Sequence, residues 1–153
     1  MYYNLLLFIH IASVILLLGV GGGSAFYKFM ADRTGSVELI LHTNKMVVLA
    51  DWLFTTPAVI LQPITGFMLM QTMGLSWQTP WLLVSIVLYI FSISLWLYAV
   101  FLQIKMKNLA LIAYDSKGML GNDYYKLLKY WIWLGVFSAL AMGAVFYLMV
   151  FKF

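Results

Sequence analysis

Four long apolar runs divide this chain, and within each the few polar residues recur at helical spacing. The first run covers residues 4–27. At 100° per residue, His10, Ser13, Gly21, Ser24 and Lys28 fall on one of its faces. The second run covers residues 46–72, the third 80–105, with Ser85, Tyr89, Ser92, Trp96 and Gln103 sharing a face, and the fourth 127–150. Gly135, Ser138, Met142 and Gly143 give the fourth a packing face of small residues. Each run is long enough to cross about 30 Å of hydrocarbon as a helix. The pattern predicts an all-α, integral membrane four-helix bundle forming a single transmembrane domain over residues 1–153, with no repeat and no linker.

The second run organises the rest. Leu49 to Met70 reads LADWLFTTPAVILQPITGFMLM, apolar enough to cross a bilayer yet carrying Asp51, Thr55, Thr56, Gln62 and Thr65, with Pro57 and Pro63 between them. Asp51, Thr55, Gln62, Thr65 and Gly66 lie within about 100° of one another on a helix. A charge at this depth is costly and faces protein or a water-filled cavity, so this helix lines the bundle interior. Each proline frees a backbone carbonyl that a neighbour must satisfy. Thr34-Gly35 reads as a break, with Ser36 as N-cap of a helix running to about Met73.

Composition excludes a soluble domain: 65% of the residues are hydrophobic, 9% are charged and the mean hydropathy is +0.98. With no cysteine, disulfides, thiolate metal sites and cysteine-held iron–sulfur clusters are ruled out. The pI near 9.3 is no sign of nucleic-acid binding, because the basic residues cluster in two loops. Lys28, Arg33 and Lys45 lie in residues 28–45, and Lys105, Lys107, Lys117, Lys126 and Lys129 in residues 105–129. The uncharged turn 74–80 holds Trp77, with Trp81 just beyond, as suits a membrane–water interface. The positive-inside rule then places both charged loops in the cytoplasm and both termini outside, the bacterial inner membrane being the expected location. The first run has neither a basic leader nor a small-residue cleavage site and reads as a retained helix. Its run of Gly19, Gly21, Gly22 and Gly23 predicts close helix approach.

Candidate chemistry is sparse. His10 lies within the first span on a small, polar face, where a neutral imidazole can ligate haem iron, relay protons or bond a neighbouring helix; its face predicts that it looks into a cavity. His42 falls on the opposite side of the membrane and reads as a surface residue of the second helix, so the two histidines cannot share one metal. Asp51 sits at a depth that Lys28 can reach, and an ion pair and a proton-handling role are both open to it, with Thr55 and Gln103 as supporting donors. No phosphate loop, nucleophile–base pair or carboxylate cluster occurs, which leaves hydrolysis and phosphoryl transfer without support. Nor does an inverted repeat of the transporter kind.

The run Asp51–Gly66, DWLFTTPAVILQPITG, with a histidine early in the first helix and a Trp-initiated third helix, resembles the signature of a family of bacterial four-helix membrane proteins of unknown function. More distantly, His10, Gly66 and the spacing to Trp81 resemble HemJ-type protoporphyrinogen oxidases and CopD-like membrane domains, over about residues 5–105. That resemblance implies haem b held by His10, with the other axial position open or filled by a methionine. HemJ-type proteins carry a lysine four residues after the tryptophan, where this chain has Ser85, which speaks against protoporphyrinogen oxidation. The expectation is a haem-b redox protein that transfers electrons or oxidises a membrane-soluble reductant such as quinol, or binds a porphyrin. The alternative is a non-enzymatic accessory or scaffold subunit. A homo-oligomer or a larger membrane complex would suit either role.

Overall fold

The computed structural model describes residues 1–152. Helix α1 runs Tyr2–Thr34 and stops at Gly35, whose φ of +70° suits a residue without a Cβ. Ser36 then caps α2, its hydroxyl accepting from the Leu39 amide at 3.4 Å, as the sequence predicts. Helix α2 (Val37–Ala50) passes through a π-helical turn at Asp51–Thr55 into α3 (Thr56–Thr72), giving one rod of 36 residues. Helix α4 spans Pro80–Asp115 and α5 spans Asn122–Phe151. The rods outrun the predicted spans, mostly at the end that carries the 35–36 and 116–121 connections, called the charged end below. At 1.5 Å per residue a 36-residue rod is about 54 Å long, well beyond the hydrocarbon thickness, so α2 and the end of α4 project from the bilayer.

Both prolines are accommodated as their chemistry requires. Pro57 has no N–H, and its ring crowds the carbonyl one turn back; the widened turn lies directly ahead of it, with the Thr56 amide reaching back to the Asp51 carbonyl. Pro63 deprives the Val59 carbonyl of its helical donor, and the Tyr89 hydroxyl of α4 supplies one at 2.7 Å. The extra residue in the π-turn rotates whatever follows by roughly 100°. This rotation splits the polar stripe: Asp51 meets α4, while Gln62 and Thr65 meet α1.

The most extensive packing is α4 on α5, joined near the middle by the Ser92 and Ser138 hydroxyls at 2.8 Å, followed by α3 on α1 and α2 on α4. One apolar cluster, including Ile40, Leu102, Met106 and Tyr124, ties α2, α4 and α5 together near the charged end; another, Leu17, Ala58, Met142 and Val145, joins α1, α3 and α5. Helices α1 and α5 touch little. The glycine run of α1 does not serve the close approach predicted for it: a Cβ at Gly19, Gly21, Gly22 or Gly23 would meet nothing within 4 Å. All four rods are apolar enough to cross a membrane, and their exposed faces carry large apolar side chains such as Phe8, Ile15, Val87 and Leu140. A lipid bilayer is the solvent for which these faces are built.

Candidate functional site

Three buried polar clusters and one cavity occupy the bundle interior. Near the end that carries the termini, the His10 imidazole of α1 lies between Thr65 and Gln62 of α3, with Nδ1 2.9 Å from Thr65 Oγ1 and Nε2 3.1 Å from Gln62 Nε2. The Thr65 hydroxyl gives its one proton to the Leu61 carbonyl at 2.7 Å, which makes Nδ1–H the donor to Thr65. Nε2 then accepts from the Gln62 amide. The ring lies against Gly66, where an added Cβ would stand 3.2 Å from His10 Cε1. That contact accounts for glycine at the end of the DWLFTTPAVILQPITG run. His10 therefore ties α1 to α3 and does not look into the cavity as its face predicts.

This geometry also bears on haem. An iron held about 2 Å from Nε2 would lie in the line of the Gln62 hydrogen bond, and Nδ1 is already committed to Thr65. As arranged, the residues at His10 do not fit an axial haem ligand. Ser85, at the HemJ lysine position, is buried and turns its hydroxyl back onto the Trp81 carbonyl.

At the charged end, Lys28 is sealed in a cluster that the sequence reading misses. Its Nζ donates to Asp32 at 3.1 Å, to Asn44 at 2.5 Å and to the Tyr124 hydroxyl at 2.9 Å; that hydroxyl in turn donates to Asp32 at 2.6 Å. Lys28 also lies over the Tyr124 and Trp131 rings, 5.3 and 5.6 Å from their centroids. The expected pairing with Asp51 is thus replaced by pairing with Asp32, one helical turn along α1. The i,i+4 spacing of Lys28 and Asp32 is a signal the sequence does contain. Asn44, on the helix expected from Ser36 onward, and Tyr124, in the charged 105–129 stretch, carry no such signal. His42 is exposed, beside a surface depression shared with Glu38, Lys45 and Tyr114.

Between these clusters, Asp51 accepts a hydrogen bond from Gln103 Nε2 of α4, and Trp131 Nε1 of α5 donates to Gln103 Oε1 at 3.1 Å. The indole thereby fixes which way the Gln103 amide faces. Among the described residues Asp51 has no cationic partner, since the ion pairs are Lys28–Asp32 and the surface pair Lys126–Asp123. Asp51, Gln103 and Trp131 border a cavity of about 450 Å³ with mostly apolar walls, which Thr55, Ser92 and Trp96 also line. Thr55 Oγ1 and Trp96 Nε1 are buried without a hydrogen-bond partner, a state that costs about 1–3 kcal/mol for each group. Gly21, Gly22 and Phe26 of α1 and Gly135, Val136 and Ala139 of α5 line the cavity and are themselves exposed. Its mouth is therefore a crevice between α1 and α5, on the lipid-facing side of the bundle.

The polar interior residues expected from the sequence thus fall into separate places. Lys28 belongs to the charged-end cluster, Gln62 and Thr65 to His10, Asp51, Thr55 and Gln103 to the cavity, and Ser85 and Tyr89 to carbonyls of Trp81 and Val59. No curated protein and no solved structure matches the chain. One family model does, from residue 4 to residue 153, and it takes in all four rods together with the Asp51–Gly66 run; the chain belongs to the family described as "Predicted integral membrane protein (DUF2269)".

Proposed function

We propose that this is a membrane-embedded binding protein whose crevice takes a lipid-soluble amphiphile. One observation carries the reading: a cavity of about 450 Å³, apolar over most of its wall, has Asp51, Thr55 and Trp96 on that wall, and two of these three hold buried polar atoms without partners. Apolar walls with a few converging polar groups are the usual makeup of a small-molecule site. The mouth between α1 and α5 gives direct entry from the bilayer. Of the redox reading, the membrane-soluble partner remains, of which quinol is one example; haem at His10 is set aside on the Gln62 geometry, and no electron-transfer step is drawn.

Photolabelling with a diazirine-bearing undecanol, on purified protein in phosphatidylcholine nanodiscs, tests the site. Saturable labelling confined to the Leu17–Ser24 and Gly135–Met142 stretches is expected. Gly21→Leu should abolish it while leaving the fold intact, because a side chain there enters open space. Uniform, unsaturable labelling of lipid-facing residues would refute the site. An absorption spectrum of the same preparation should be flat in the Soret region; a Soret band lost in His10→Ala would restore the haem reading.

We also place the charged end in the cytoplasm of a bacterial inner membrane with both termini outside, on the lysine and arginine count of the two charged loops. The chain has no cysteine, so Met119→Cys, exposed in the 116–121 connection, gives a single label site. It should react only once the cytoplasmic face is opened. Reaction from the periplasm would invert the topology. The accessory-subunit reading has no comparable observation behind it; a stoichiometric partner that closed the crevice on co-purification would favour it.

A further inference from the structure

The crevice has a charge to satisfy as well as a shape. Asp51 is 7% exposed and lies within a membrane-crossing rod, where an ionised side chain is expensive unless paired. Its neighbours do not pair it. Gln103, held in place by Trp131, offers a neutral amide donor. Lys28, the buried cation of α1, is consumed by Asp32, Asn44 and Tyr124 and is itself 1% exposed. Lys105 of α4, two residues from Gln103 and so about 200° round the helix from it, lies over the Phe101 ring at 4.3 Å from its centroid. Among the described residues, then, no cation pairs with the one carboxylate that borders the cavity.

Around Asp51 the wall supplies what a positively charged head seeks. Thr55, one turn on, has a hydroxyl oxygen without a partner, able to accept from an ammonium N–H. The Trp96 indole of α4 also lines this wall, and desolvated aromatic rings attract ammonium groups; the Trp131 ring is already taken by Lys28. Beyond this polar end the lining turns apolar, with Leu17, Leu18, Ile93 and Met142, a bed for a hydrocarbon body.

Resting on the binding reading above, we infer that the ligand of this crevice is a lipophilic monocation of the amine class. Its ammonium sits between Asp51, Thr55 and the Trp96 ring, and its apolar body lies along α1 and α5. The lone carboxylate is then the counter-charge that the ligand brings into balance.

Competition separates this inference from the binding reading. Wild-type protein labelled with the neutral diazirine undecanol is challenged with undecylammonium, undecanol or undecanoate, each corrected for its partition into the same nanodiscs. Undecylammonium should displace the label at a concentration at least about tenfold lower than undecanol, the size expected of one partly desolvated charge pair, and undecanoate should be the weakest. In Asp51→Asn the advantage of the ammonium over undecanol should vanish, with an unchanged helical circular-dichroism spectrum and melting profile as the check on folding. If Asp51→Asn fails to take the neutral label, the order of the three competitors on wild type decides alone. Equal potency of undecylammonium and undecanol on wild type overturns the cation and leaves the binding site standing. Absence of saturable labelling by the neutral probe overturns both.

Discussion

Asp32→Ala lowers the unfolding free energy by about 3–5 kcal/mol, the usual penalty for removing one partner of a buried ion pair. Lys28 would keep Asn44 and Tyr124 as neutral acceptors but lose its countercharge, and at 1% exposure it has no water to turn to. The Tyr124 hydroxyl would lose its acceptor in the same change. The loss is a property of the unpaired charge and not of the pair's net worth, so Lys28→Met combined with Asp32→Leu should recover most of it. Denaturation in mixed micelles followed by circular dichroism measures both. A loss under about 1 kcal/mol for Asp32→Ala would place Lys28 in contact with water or lipid headgroups, as for a surface pair, and the cluster would not be sealed.

Gln103→Leu should cost about 2–4 kcal/mol. The substitution strips the Asp51 carboxylate of its amide donor and leaves the Trp131 N–H without an acceptor, and a buried unsatisfied group costs about 1–3 kcal/mol, more when charged. Neutral hydrogen bonds between membrane helices average only about 0.6 kcal/mol, so the measured value discriminates. A cost near that average would mean that Asp51 finds a replacement donor. Trp131→Phe, which removes the indole donor to Gln103 together with part of a buried ring beside Lys28, should cost about 1–3 kcal/mol. Gln103→Leu measured in an Asp51→Asn background should lose less than in wild type, because one of the two orphaned groups is no longer a carboxylate.

The one-dimensional pattern determined the architecture. Four apolar runs too long and too uncharged for a soluble fold must be helices when no water is present to satisfy a backbone. Caps and breaks are local chemistry, so Gly35 and Ser36 were legible as the end of α1 and the start of α2. So was the interior stripe: Asp51, Thr55, Gln62 and Thr65 are all buried. That Pro63 would orphan a carbonyl could be read from its missing N–H; that Tyr89 would fill the gap could not.

Only the tertiary structure decided partners, because helical periodicity reports which face a residue is on and never what the face meets. The π-turn at Asp51–Thr55 divided one apparent stripe between α4 and α1, a rotation invisible to a count at 100° per residue. Lys28 lay within reach of two carboxylates by depth alone, and packing gave it Asp32 together with Asn44 and Tyr124, residues 16 and 96 positions away. His10 carries the same polar face whether it looks into a cavity or against another helix, and Gly66 opposite its ring settled the choice. The glycines of α1 read as a contact surface because small residues pack closely in membranes. With α5 packed mainly on α4, Gly21 and Gly22 instead became the open side of the crevice.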